Sequence, residues 1–302
     1  APHRPMRAPT LLIFAASALV AVLPAHAEDK ISYQTYKYVE AGDRMRVLAG
    51  DLSIEKDFGT DHVLSFDIGH DAISGATPCW QLKPGYANEY VSGKCKVAHE
   101  VRNSIGASWL TRDTQRNEYT FGAALSREPD FDSKELSAQA MFWHDESHNR
   151  SYTIGVALQR NTSIATLNTN NASDEASNAV NVQFGVNQVL DKTSTVELAA
   201  FAARDSGYLF NHYLKVVRTS PSGAHYLADD TRPDSRRAAG LSARWIKAWR
   251  PDFKTNVWVR GYYDDWGVKG LTLEAKAYWD INEQWRINPV LRLNRQGAAN
   301  FY

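Results

Sequence analysis

Two adjacent pairs, His70-Asp71 and His144-Asp145, are the residues of this 302-residue chain whose types best suit proton transfer, because an imidazole beside a carboxylate is a common general-base arrangement. Their spacing argues against that use. On a strand, neighbouring side chains point to opposite faces, so neither pair builds a catalytic triad without help from elsewhere. No Gly-x-Ser-x-Gly or His-Glu-x-x-His motif supplies that help, and no enzyme activity is expected. Cys79 and Cys95 are the only two cysteines. In an exported chain they read as a disulfide pinning a loop over 74–98, stabilising it by about 3 kcal/mol. A metal or redox pair is the weaker alternative, since there is neither a Cys-x-x-Cys spacing nor a neighbouring His cluster. The acids Asp264-Asp265 and Asp130-Phe131-Asp132 have the oxygen chemistry to bind Ca²⁺ or cations that bridge lipopolysaccharide, and solvated turn acids explain them equally well. Asp229, Asp230 and Asp234, with Arg232, Arg236 and Arg237, read as a charged rim. Asn161-Thr162-Ser163 has the form of a glycosylation acceptor, a motif that means little should the chain prove bacterial. No cofactor is expected.

These residues need a scaffold, and the composition narrows what it can be. Charge is balanced, with 34 basic and 34 acidic side chains, which removes a polyanion such as nucleic acid as the obvious partner. Nine Trp, fourteen Tyr and eleven Phe against three Met favour β-structure. The mean hydropathy of −0.44 does not suit a helical membrane protein. At the N-terminus, Met6-Arg7, the apolar stretch Leu11 to Leu23 and Ala25-His26-Ala27 have the layout of a cleaved signal peptide over residues 1–27. Ala1 to Pro5, ahead of Met6, read as non-native. The apolar part is too short for a spanning helix, so an exported chain that meets a membrane again must do so as a barrel.

Past Glu28 the chain divides into short segments of alternating polarity. Val180, Val182, Phe184 and Val186 alternate with Asn181, Gln183, Gly185 and Asn187, and the same period of two appears around Phe66, Phe121, Ile154 and Leu273. Strands are predicted at about 31–40, 44–58, 62–73, 99–111, 117–127, 134–146, 150–161, 178–190, 194–210, 235–248, 253–264, 270–281 and 284–296. A soluble sandwich would also alternate, but here every second connection is short, and the long excursions 74–98, 162–177 and 211–234 all fall in the other set. That segregation is what an outer-membrane barrel shows and a Greek-key sandwich does not. The expected fold is therefore all-β, an antiparallel transmembrane β-barrel of outer-membrane type over residues 28–302. A single-chain bacterial barrel closes with an even strand number, commonly returning its C-terminus to the periplasmic side. Thirteen strands place residue 302 outside, so the chain is expected to be incomplete at its C-terminus and to belong to a barrel of about 14 to 16 strands.

Several stretches also carry a resemblance. Tyr262-Tyr263-Asp264-Asp265-Trp266-Gly267, Leu271-Thr272-Leu273-Glu274, Pro289 with Arg292, and Gln296-Gly297-Ala298-Ala299-Asn300-Phe301-Tyr302 fall in register with one another. Asp71-Ala72-Ile73-Ser74-Gly75-Ala76-Thr77-Pro78, the turn Ser126 to Ser133 and Ser206-Gly207-Tyr208 agree with them. From about Tyr33 onward the chain resembles an uncharacterised family of proteobacterial outer-membrane barrels, domain of unknown function 3570. The resemblance implies location and architecture and no known activity. Relatives usually continue past the Ala-Ala-x-Phe-Tyr motif, and they more often carry Ser and Asp where this chain has Gly297 and Asn300. Their genome neighbours often include thioredoxin-like and flavin-attachment proteins, which hints at periplasmic redox or metal work.

By parity Arg260, Glu274, Lys276, Arg286 and Arg292 face the lumen, on three successive strands. Mutual neutralisation of a polar interior and a selectivity ring are both open readings of them. Tyr152, Tyr263, Trp279 and Trp285, at strand ends, suit interfacial girdles. The expected function is a channel or export conduit for small solutes. The alternative is a non-conducting platform whose long loops bind a partner, and a rim enzyme at His70 and Asp71 comes third. The implied partners are outer-membrane lipid, lipopolysaccharide and the barrel-assembly machinery, with no nucleic acid and no identified protein partner.

Overall fold

The structure, a computed structural model, describes residues 29–40, 45–166, 169, 171–210 and 215–301; the side chains of 74–79 and 92–99 also lie outside that description. The leader expected over residues 1–27 is outside it as well, as is Tyr302.

The alternating segments become strands joined in one antiparallel meander. In chain order they are β1 (Lys30–Val39), β2 (Met45–Phe58), β3 (His62–Leu82), β4 (Tyr90–Arg112), β5 (Glu118–Arg127), β6 (Phe131–Trp143), β7 (Arg150–Ser163), β8 (Glu175–Asp191) and β9 (Ser194–Gly207). After a small separate hairpin of β10 (Lys215–Thr219) and β11 (His225–Asp229), the meander resumes with β12 (Ser235–Arg250), β13 (Phe253–Asp264) and β14 (Lys269–Asp280). It ends with β15 (Arg286–Ile287) and β16 (Val290–Gln296). Each strand pairs with its sequence neighbours, and β9 pairs directly with β12. All thirteen predicted strands appear in order.

Two predictions need correction. The stretch 74–98 is not a loop: β3 and β4 run on through it and leave only a turn at 83–89. Alternation fails there because nothing selects an apolar face, while main-chain pairing continues, with a register shift between Ala76 and Pro78 where proline lacks an N–H to donate. The last strand is broken by Asn288-Pro289 for the same reason, and its two parts, β15 and β16, both pair with β14.

The sheet has two unlike faces. Register carries one row from Thr120 through Gln139, Gly155, Gln183, Phe201, Gly240, Tyr262 and Gly270 to Gln296, so these side-chain positions share a face. The opposite face carries Phe121, Ile154, Val182, Phe184, Leu241 and Leu273, all strongly exposed, with Leu241 at 69%. Leaving Leu241 in water instead of burying it forfeits about 2 kcal/mol, and dozens of such side chains stand on this face. A water-soluble monomer does not present apolar surface on that scale; the wall of a transmembrane barrel does. The polar face is the concave one, because on it side chains two strands apart meet, Gln183 of β8 bonding Gln139 of β6 over Gly155, and β10, which follows β9, lies against β3, far from it in the sheet. A hollow of about 610 Å³ on this face is lined from Trp143 on β6 to Arg260 on β13, and one of about 620 Å³ lies among the apolar side chains of the other face. No helix among the described residues is long and apolar enough to cross a membrane.

Candidate functional site

The concave face is assembled from strand positions whose side chains cannot all be large. Glycines sit between bulky neighbours and are covered by them. Gln183 on β8 reaches across Gly155 on β7 and donates from Nε2 to Gln139 Oε1 on β6, at 2.9 Å. A Cβ at Gly155 would lie 2.9 Å from that nitrogen. Phe201 on β9 lies over Gly240 on β12 and stacks on Tyr262 of β13 with ring centroids 6.3 Å apart. The absent side chain therefore lets aromatic groups tie three strands together.

Register places Arg260, Glu274, Lys276, Arg286 and Arg292 on this face. They do not form one lattice. Glu274 Oε1 is 3.0 Å from Lys276 Nζ on its own strand, and its other oxygen is 4.0 Å from Arg292, its partner on β16. Arg286 instead pairs with Asp280, donating from Nη2 to Oδ2 at 3.1 Å. Arg260 has no ion pair among the described residues; its guanidinium lies 5.0 Å from the Phe201 ring centroid.

A second assembly stands at the outer end of β12 and β13, and it gathers separated pieces of the motif sequence. Asp264 is fully buried. Its Oδ2 accepts from Arg236 Nη2 at 2.7 Å, from Arg236 Nε at 3.0 Å and from the Tyr262 hydroxyl at 2.8 Å, and its Oδ1 accepts the Val268 N–H at 2.9 Å. A carboxylate taken out of water needs such a full set of donors. The Arg236 guanidinium lies 5.0 Å from the Trp266 ring centroid, Trp266 Nε1 donates to Ser235 O at 2.8 Å, and Phe301 meets Trp266 edge-on at 5.1 Å. Gly267 turns the chain with φ of 89°, and the Asn300 side chain fills the space a Cβ would need. Asn300 N–H in turn donates to Trp266 O at 2.7 Å, and Asp265 Oδ1 accepts the Arg237 N–H at 2.9 Å. Gln296 pairs with Gly270, and Ala298 and Ala299 lead directly to Asn300. Thus Asp264, Asp265, Trp266 and Gly267 meet Phe301 in one cluster.

The remaining candidates lie apart. His70 contacts Asn103 (Nδ1 to Oδ1, 2.8 Å) while Asp71 accepts from Arg102 Nε at 2.7 Å, on the other face. His144 meets Tyr152 edge-on at 6.0 Å, and Asp145 caps its turn by accepting the Ser147 N–H at 2.9 Å. Asp130 is 5% exposed, and no hydrogen-bond donor reaches Oδ1 of Asp130 or of Asp132 among the described residues. Burial pushes the neighbouring Glu128 carboxyl above its usual range, helped by Glu100 and opposed by Arg102. No group of three His, Cys, Asp or Glu able to hold a metal occurs among the described residues. Asp230, nearly buried, accepts from Arg232 Nε at 2.8 Å. The Cys79 and Cys95 side chains fall outside the description, as do those of Ser74, Gly75 and Pro78; the main chain pairs Cys79 with Gly93, Pro78 with Lys94 and Gly75 with Ala98. Tyr263, Trp279 and Trp285 are exposed, and Tyr152 is half-buried.

The family described as "Protein of unknown function (DUF3570)" matches residues 8–302. No curated protein matches the chain. Among solved structures it is similar to the ferric enterobactin receptor of Pseudomonas aeruginosa, at 13% identity and a TM-score of 0.47, over 87% of this chain and 43% of that one. It is also similar to the alcaligin outer membrane receptor of Bordetella pertussis, at 9% identity and a TM-score of 0.45, over 89% of this chain and 56% of that one. The toluene transporter of Pseudomonas putida gives 9% identity and a TM-score of 0.41, over 89% of this chain and 84% of that one. The chain thus spans about half the length of the two receptors.

Proposed function

We propose, from the premise that this chain belongs to the DUF3570 family of proteins of unknown function, that it works in the bacterial outer membrane as a conduit for small solutes. One observation carries the reading: the concave face stays polar strand after strand, from Asp51 on β2 to Arg292 on β16, under an outer face of exposed apolar side chains. A barrel whose inside is filled by a dry core has no use for such a lining. The partners are outer-membrane lipid, lipopolysaccharide and the machinery that inserts barrels, and no catalytic chemistry is assigned to His70 or Asp71.

The platform reading has its own support, because the hairpin β10–β11, separate from the main sheet, lies against β3. The two readings separate in one experiment. The natural full-length protein, purified from outer membranes and shown to be folded by its heat-modifiable mobility, is placed in a planar bilayer. A conduit gives steady single-channel conductance; a folded barrel with no conductance sinks the conduit and leaves the platform.

A further inference from the structure

The concave face carries its charges in an order. On β2 to β6 it presents Asp51, Glu55, Asp57, Asp67, Glu118 and Glu135. Over Ser151–Ser163 of β7 and Ser177–Asn187 of β8 the same face holds hydroxyls, amides and small residues with no charge, and Glu175, opposite Ser163, stands at the very end of β8. On β12 to β16 it presents Arg236, Arg244, Lys254, Arg260, Lys276, Arg286 and Arg292, with Asp264 bound to Arg236 at the strand ends. Charges of the minority sign are held by neighbours: Lys30 lies 3.7 Å from Glu55, Arg102 donates to Asp71, Arg112 Nε is 2.8 Å from Glu118, and Glu274 and Asp280 serve Lys276 and Arg286. On β9, Glu197 offsets Arg244 at 3.2 Å, and Asp205, on the same face, stands opposite Arg236 of β12 in register and feels its charge. What survives these pairings is again sorted. Asp51, Asp57, Asp67 and Glu135 have no ion partner among the described residues, and neither do Lys254 and Arg260, while Lys276 and Arg292 share a single carboxylate.

We propose that this sorting makes the interior a dipolar one, an acidic wall and a basic wall separated by an uncharged strip, which favours solutes carrying both a cationic and an anionic end. Inside a water-filled space bounded by low-dielectric walls, sorted charge focuses a field across the lumen rather than along it. A solute with one sign of charge is attracted by one wall and repelled by the other. A zwitterion with well-separated ends gains at both walls. Charges of mixed sign that merely neutralised a polar interior would be interleaved, with no uncharged strip between two blocks.

The inference rests on the conduit reading, and its test separates the two. Liposomes containing the full-length protein are assayed for swelling in 6-aminohexanoate and in its uncharged isomer 6-hydroxyhexanamide. The zwitterion enters faster, by about threefold. In planar bilayers under a KCl gradient, Asp51→Asn with Asp67→Asn and Glu135→Gln shifts the reversal potential toward anions, and Lys254→Gln with Arg260→Gln shifts it toward cations. Both sets abolish the preference for the zwitterion. Equal entry of the two isomers into liposomes whose protein conducts overturns the dipolar interior and leaves the conduit standing, and so do reversal potentials that shift in one direction only. Folded protein that admits neither solute removes the conduit and the inference with it. The swelling ratio of the unmodified protein decides the matter even where a multiple variant fails to fold.

Discussion

At the scale of single residues, Asp264 holds the most demanding position in the described chain. It is a carboxylate with no exposure, and four donors from Arg236, Tyr262 and Val268 make its burial tolerable. Asp264→Asn keeps the shape and removes the charge, leaving the partly buried Arg236 guanidinium without the carboxylate that it hydrogen-bonds, and is expected to cost on the order of 3 kcal/mol. Tyr262→Phe removes one hydrogen bond and costs about 1 kcal/mol. Urea midpoints of detergent-solubilised protein check both, and equal midpoints for Asp264→Asn and the unmodified protein would show that the cluster carries no stability. Glu128 makes a prediction of opposite sign. Its carboxyl is held above the usual range by burial first and by Glu100 next, so the charged form weighs against the fold above that raised pKa and the penalty lifts as pH falls through it. Glu128→Gln therefore raises the melting temperature at pH 7, and the gain disappears in acid. Asp113 behaves the other way: hydrogen bonds from Asn117, side chain first, hold it below its usual range, so its contribution is present at neutral pH and is lost as the medium is acidified through that lowered value.

At the scale of elements, strand existence was legible in the sequence and strand extent was not. Membrane thickness imposes a period of two only on the part of a strand that meets lipid. The alternation around Val182 and Phe184 announces β8 plainly, whereas β3 and β4 pair far beyond their alternating parts, through Gly75 to Leu82 and Tyr90 to Val97. Parity also grouped Arg260, Glu274, Lys276, Arg286 and Arg292, but it could not say which would pair, because Glu274 is reached from its own strand as well as from the next. The Asp264 cluster left a readable trace that parity reasoning passed over. Arg236 lies in the first residues of β12 and Asp264 ends β13, two strands joined by a turn at 251–252, so antiparallel pairing brings them within reach on one face, yet Arg236 by itself reads as a rim charge. The glycines under Phe201 and Gln183 were unreadable, since their need arises from side chains two strands apart. Gly240→Ala would set a Cβ 2.7 Å from the Gly261 carbonyl oxygen as well as against the Phe201 ring, and main chain cannot yield as a glutamine tip can. A loss of about 1–3 kcal/mol in the urea midpoint is expected, larger than for Gly155→Ala, where Gln183 can swing away. Equal losses at the two sites would contradict this account of the covered glycines.

At the scale of the whole molecule, the features that argue for a conduit and those that argue against an open one belong to different elements. The polar concave face runs the breadth of the sheet, while the β10–β11 hairpin is separate from that sheet and lies against β3. If that hairpin narrows the mouth, replacing Lys215 to Asp229 with a short glycine-serine linker raises single-channel conductance. Unchanged conductance would show that the hairpin stands clear of the path, and loss of a bound partner without any conductance change would favour the platform. Everything above depends on the two faces of the sheet meeting different media. Spin labels at single cysteines, introduced with Cys79 and Cys95 replaced by serine, test that directly through collision with oxygen, which concentrates in lipid, and with a water-soluble nickel chelate. Along β12 to β14 in reconstituted bilayers, labels at Leu241, Val259 and Leu273 are predicted to collide with oxygen, and labels at Ser242, Arg260 and Thr272 with nickel. Alternation of that kind is the signature of a barrel wall; nickel accessibility on both faces would contradict the transmembrane account.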